Sequence, residues 1–218
     1  MREMFHAELE ELVGDLARMA RLAGQMMTNA STALHHADLV LAELVISGED
    51  EMTALCEEMD QRCINLLVLQ APVALDLRVV VSAIHAVRDL GRMGNLGQHV
   101  ATIARLKHPN VPIPDEVRPM FARMSLLAAS LAEEAATAIE SQDPMSGDRL
   151  AEADDEVDEL RRRIFRILFS EDWSHGVEPA VDAALIGRYY ERFADHAVAI
   201  ARQVGYRVTG QLPAEHHA

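Results

Sequence analysis

The chain has 218 residues, of which 50% are hydrophobic, 25% charged and only 4% aromatic, a balance that excludes wholesale disorder and suits one buried core. Thirty-five Asp and Glu against 20 Lys and Arg give a formal charge of −15, which argues against nucleic acid or an anionic membrane as the main partner. With 11 Gly and 8 Pro there are too few breakers for many short strands, so the composition points to an acidic, mainly helical protein.

From Met1 to Glu10 the chain is amphipathic, with no apolar stretch of the secretory type. No apolar run reaches the roughly 20 residues that a membrane span needs. Phe5, Leu9, Leu12, Leu16, Met19, Ala23, Met26 and Ala30 then recur in steps of four and three, the stripe of one long helix. Asp38 is placed to cap a second helix. That helix carries both cysteines, Cys56 and Cys63, about two turns apart and too distant for a disulfide within it. Two reduced core thiols fit a cytoplasmic protein. Gln70-Ala71-Pro72-Val73-Ala74 interrupts the helical pattern, and Asp76 is expected to cap the third helix.

Pro109, Pro112 and Pro114 mark the clearest linker in the chain. Beyond it a second stripe, Val117, Phe121, Met124, Ala128, Leu131, Ala135 and Ala138, predicts a fourth helix with Pro119 in its first turn. Corners at Ser141–Pro144 and Ser170–Gly176 delimit a fifth and a sixth, with Trp173 expected to anchor the last corner. The two stripes superpose at an offset of 105, Met19 on Met124 and Ala23 on Ala128; the same offset sets Met52 on Val157 and Leu55 on Leu160. The third helix of each half matches at an offset of 100, Arg88 on Arg188 and Arg92 on Arg192. The expected fold is therefore all-α: six long helices as two tandem three-helix-bundle repeats, residues 1–109 and 110–218.

Two acidic pairs carry the candidate chemistry. Asp154 and Asp158 are four apart on the fifth helix, as are Glu191 and Asp195 on the sixth. Stacked like charges repel by about 0.2–0.5 kcal/mol, so something positive belongs between them. One candidate is a hard cation such as magnesium, manganese, calcium or iron. The other is arginine: Arg188 and Arg192 each lie three residues before an acid of the sixth helix, and ion pairs alone account for that pattern. His196 adjoins Asp195 but points about 100° round the helix. Glu3 and His6 form a single E-x-x-H, and a di-iron bundle needs two copies. His85 and His99 read as core or surface histidines, and His216-His217 as a tail. No Gly-rich phosphate loop, nucleophile motif or paired-cysteine zinc pattern occurs.

The segment Cys63-Ile64-Asn65-Leu66-Leu67-Val68-Leu69-Gln70-Ala71-Pro72-Val73-Ala74-Leu75-Asp76-Leu77-Arg78 resembles the helix-corner signature L-L-x-x-Q-x-P-V-A-x-D-L-R of the PhoU family. Arg188-Tyr189-Tyr190-Glu191-Arg192-Phe193-Ala194-Asp195-His196 is similar to that family's E-R-x-x-D signature, most like its actinobacterial members, and Asp89-Leu90-Gly91-Arg92-Met93-Gly94-Asn95 is the other copy. The resemblance implies a non-enzymatic, cytoplasmic negative regulator of phosphate uptake. Its implied partners are the ATPase of a phosphate ABC transporter and a sensor histidine kinase, and the long bundle helices suit a homodimer. It also implies metal binding through Glu191 with Asp195 and Asp154 with Asp158, for which iron, magnesium, manganese or zinc would serve. In the first repeat the matching positions hold Gly91 and Asn95 and, at the offset of 105, Glu49 and Thr53; an offset of 98 would match Cys56 and Asp60 instead. At most one full metal site is therefore expected, in the second repeat. The competing readings are a ferritin-like metal-binding bundle enzyme and a metal-free helical scaffold.

Overall fold

The computed structural model describes residues 2–211. Six helices run α1 (Arg2–His36), α2 (Leu39–Gln70), α3 (Ala74–Lys107), α4 (Arg118–Ser141), α5 (Ser146–Leu168) and α6 (Val177–Thr209). Every residue of the two apolar stripes is buried, so α1 and α4 turn those faces into the core.

The corners follow local chemistry. Asp38 caps α2 by accepting from the Leu41 N–H at 3.0 Å. The expectation that Asp76 caps α3 is corrected: extended Val73 is the cap residue and makes no side-chain bond, while Asp76 sits inside the first turn. The chain leaves α2 through Ala71 at φ 43° and enters α3 through Ala74 at φ 51°, both left-handed, with Pro72 between them. That path starts the helix too early for Asp76 to reach back. Pro119 occupies the first turn of α4. Trp173 donates its indole N–H to the Gly176 carbonyl at 2.8 Å and packs on the core, anchoring the last corner. His216 and His217 lie outside the described residues.

Helices α1, α2 and α3 pack on one another, as do α4, α5 and α6, giving the two three-helix repeats. The repeats meet through α1 on α4 and α3 on α6, so α2 and α5 flank a central layer of four helices. The buried apolar side chains of all six helices form one cluster. The α1–α4 joint is unusually close: a Cβ on Gly24 would stand 2.6 Å from the Ala132 Cβ. Tyr190, in the middle of α6, is fully buried and reaches Ser31 of α1 at 2.5 Å. Ser31 donates to the Met27 carbonyl at 2.7 Å, so the phenol donates to Ser31.

Candidate metal centre

Four carboxylates were expected to act together, and α5 packs directly on α6, where they reside. Asp154 is half-buried and its Oδ1 is fully buried with no hydrogen-bond partner. Burial, then the charges of Asp195, Asp158 and Asp155, push its carboxyl up to about 7, with Arg202 opposing. Asp195 is raised too, by desolvation first and the Glu191 charge second, against Arg192. Its side chain remains 49% exposed, so solvent screens part of that effect. The fold thus gathers Asp154, Asp158 and Asp195 into one region of excess negative charge.

Glu191 behaves differently. It forms an ion pair with Arg188 one turn earlier, and Arg161 of α5 places Nε 3.3 Å from its other oxygen. Asp158 lies 3.6 Å from Arg162, and Asp195 lies 3.8 Å from Arg192. The arginine pairing is therefore present for three of the four acids, and Asp154 alone has no cationic partner within ion-pair distance. Among the described residues no three His, Cys, Asp or Glu side chains gather closely enough to hold a metal ion. The residues fit a cation by charge at Asp154, Asp158 and Asp195, whereas Glu191 has Arg188 and Arg161 within ion-pair distance, although its Oε2 is also buried without a hydrogen bond. His196 turns away, as its position round the helix requires, and sets Nδ1 3.2 Å from Asp89 of α3, inside the joint between the repeats.

Arg161 is the residue that the sequence reading missed. Its only signal is a shared helix face, since Asp154, Asp158 and Arg161 fall at i, i+4 and i+7. The first repeat shows what stands in its place. Arg161 faces Glu191, and at offsets of 105 and 100 the counterparts are Cys56 and Gly91. A Cβ on Gly91 would stand 3.0 Å from the Cys56 sulfur. The same alignment brings Cys56 within 3.7 Å of the Val87 carbonyl, as Arg161 lies beside Gly187. This supports the offset of 105 over 98 for α2. An ion pair of the second repeat has become a sulfur packed on a glycine, beside a cavity of about 260 Å3 reached by Thr53, Arg92 and Asn95.

Both cysteines are free thiols. Burial, then Asp60, pushes each thiol up to about 11, so neither is a ready thiolate. Cys63 is a core residue as expected, and Cys56 is half-buried. His99 stacks on Tyr189 with ring centroids 5.2 Å apart, and His6 lies 3.9 Å from Asp76, so neither histidine joins the carboxylates.

Comparison with known proteins agrees with this layout. The PhoU domain family model matches residues 16–104 and again 121–204, one match per repeat. The chain is 46% identical over 213 residues to the phosphate-specific transport system accessory protein PhoU homolog 2 of Mycobacterium tuberculosis, covering 98% of this chain and 100% of that one. It is 41% identical to PhoU homolog 1 of the same organism, over 99% of this chain and 97% of the relative. Among solved structures, PhoU from Pseudomonas aeruginosa superposes with a TM-score of 0.87 at 26% identity, covering 95% of this chain and 100% of its own. No helix among the described residues is long and apolar enough to cross a membrane. A chain with one PhoU match in each of two packed three-helix repeats belongs to the PhoU domain family.

Proposed function

We propose that this protein is a cytoplasmic negative regulator of phosphate uptake and phosphate-starvation signalling. It acts by contact rather than catalysis, as a homodimeric adaptor between the ATPase of a phosphate ABC transporter and a sensor histidine kinase. The observation that carries this reading is the end-to-end match to relatives named as accessory proteins of the phosphate-specific transport system. The repeats 1–109 and 110–218 are its sequence units. The decisive experiment deletes the gene, together with any paralogue, in the source organism. Phosphate-uptake genes should then be expressed constitutively in rich phosphate, and this chain alone should restore repression. Unchanged expression in the deletion strain sinks the proposal. Co-purification with the transporter ATPase or the kinase under high phosphate tests the contacts.

A second reading rests on the unpaired Asp154 Oδ1. One hard cation per chain would be held by Asp154, Asp158 and Asp195 in the second repeat once their side chains turn toward a common point, since they do not converge closely enough here. Glu191 would join them only by exchanging Arg161 and Arg188. Iron, magnesium, manganese and zinc all suit oxygen ligands of this kind. The ion would offset the repulsion among the aspartates and fix α5 against α6. Metal analysis of protein purified without chelator should show one ion per chain, lost in Asp154→Asn with Asp195→Asn. Metal retained by that double variant overturns the assignment.

A further inference from the structure

The offset of 100 between α3 and α6 relates Lys107 to Arg207, Glu178 to Arg78 and Asp182 to Ser82. At one end of the molecule Lys107, near the end of α3, has Asp182 2.8 Å away and also pairs with Glu178. At the other end the cation is kept and both carboxylates are gone. Arg207 is 4% exposed and has no carboxylate partner among the described residues. One of its terminal nitrogens donates to the Ile139 carbonyl at 3.2 Å, and its Nε is buried with no partner. Ser82 Oγ is likewise buried without a partner, beside the same cavity of about 20 Å3 that Arg207 lines. Arg78 is turned to the end of α6, donating Nε to the Arg207 carbonyl at 3.2 Å. Burying a guanidinium without a counter-charge is costly, and the carbonyl ends of α4 and α6 offset only part of that.

Arg207 also lines a second cavity of about 420 Å3, bounded by the start of α1, the start of α3 and the end of α4. Leu9, Val13, Leu75 and Val79 give it an apolar wall, and its volume is that of a small-ligand site. Three carboxylates reach it. Glu140 is held by Arg21 through two bonds of 2.8 Å, whereas Asp76 has only His6, 3.9 Å away, and Glu10 is exposed on the lining. A dianion such as inorganic phosphate would meet Glu10 and Asp76 with only one buried cation in its favour. A monoanion meets less of that repulsion than a dianion, and Leu9, Val13, Leu75 and Val79 match an apolar body.

We propose that this cavity binds a carboxylate carried on an apolar group, with Arg207 as the anchoring cation. Such a carboxylate comes either from a free aliphatic acid or from the C-terminus of an apolar peptide. The test is titration of the full-length protein, followed by 1H–15N NMR, with hexanoate, hexanamide, N-acetyl-Val-Leu, its C-terminal amide and inorganic phosphate. Saturable shifts at the start of α1 and α3 and the end of α6 are expected for one or both acids, and whichever binds more tightly identifies the source. Each amide should bind about tenfold more weakly or worse, as loss of a charge-assisted contact requires. Arg207→Met keeps the apolar stem, should fold with an undiminished Tm, and should weaken the acids at least about tenfold. Leu75→Glu, at a rim position 51% exposed, leaves the core untouched and should repel the carboxylate, which keeps the test decisive whatever Arg207→Met does to folding. The proposal fails if neither acid binds, if acid and amide bind equally, if Leu75→Glu or a folded Arg207→Met leaves binding unchanged, or if phosphate binds in preference.

Discussion

At the residue scale, Asp154 holds a carboxyl that burial and its acidic neighbours raise to about 7, well above the value of an unfolded aspartate. Between pH 4 and pH 7 the unfolded chain has lost that proton while the folded chain keeps it, so stability from this group falls as pH rises across that window. Asp154→Asn removes the ionisable group and keeps its shape. The variant should be more stable than the parent at pH 8 by on the order of 1–2 kcal/mol, about 2–4 °C in Tm per kcal/mol, with the difference shrinking toward pH 4. Melting curves across pH, in chelator, measure it. An equal gain at both ends of the range would mean that charge is not the cause.

At the scale of elements, small residues set the spacing of the helices. Gly24→Ala would bring a helix-propensity gain of about 1 kcal/mol on its own. Its methyl, however, meets the Cβ of Ala132 at 2.6 Å, and neither group has a rotamer to escape into. Overpacking of about 1–3 kcal/mol wins, so α1 and α4 must separate and Tm should fall by several degrees in calorimetry. A rise in Tm would show that the joint is softer than its geometry. Helix existence and the buried stripes were legible in the sequence, because a 3.6-residue period is a local property that survives any arrangement of neighbours. What crosses between helices was not. Arg161 meets Glu191 only through the rotation of α5 against α6, and Cys56 meets Gly91 only through α2 against α3. Arg207 likewise reads as an ordinary cation near a helix end until packing buries it. Asp76 was misread because two left-handed alanines, residues that rarely adopt that backbone, fix where α3 begins.

At the scale of the molecule, the repeats divide the sequence but not the core. Leu12, Phe121 and Tyr190 belong to one cluster, and the joints α1–α4 and α3–α6 run between the halves. The whole chain should therefore unfold in a single calorimetric transition with matching calorimetric and van't Hoff enthalpies. Residues 1–109 expressed alone should expose the faces of α1 and α3 that α4 and α6 cover, and self-associate. Two resolved transitions, or a monomeric and cooperatively folded fragment, would mean that each half has an independent core. The halves differ in chemistry rather than shape: the second keeps carboxylates where the first holds Gly91, Asn95 and Thr53.

The corner between α2 and α3 has a consequence for local opening. Ala71 and Ala74 both occupy a backbone region that costs an L-residue about 1–2 kcal/mol, and the side chains around them, Val68, Leu69 and Val73, are each more than 70% exposed. Little packing holds this segment against that cost, so it should open well below the free energy of global unfolding. The amides of Ala71, Val73 and Leu75 should exchange with deuterium faster than those at the middle of either helix. Glycine tolerates this backbone, so Ala71→Gly with Ala74→Gly should slow that exchange by roughly two- to fivefold, after allowing for the added freedom of the unfolded chain. The corner is thus a loaded spring, and two methyl groups set its tension.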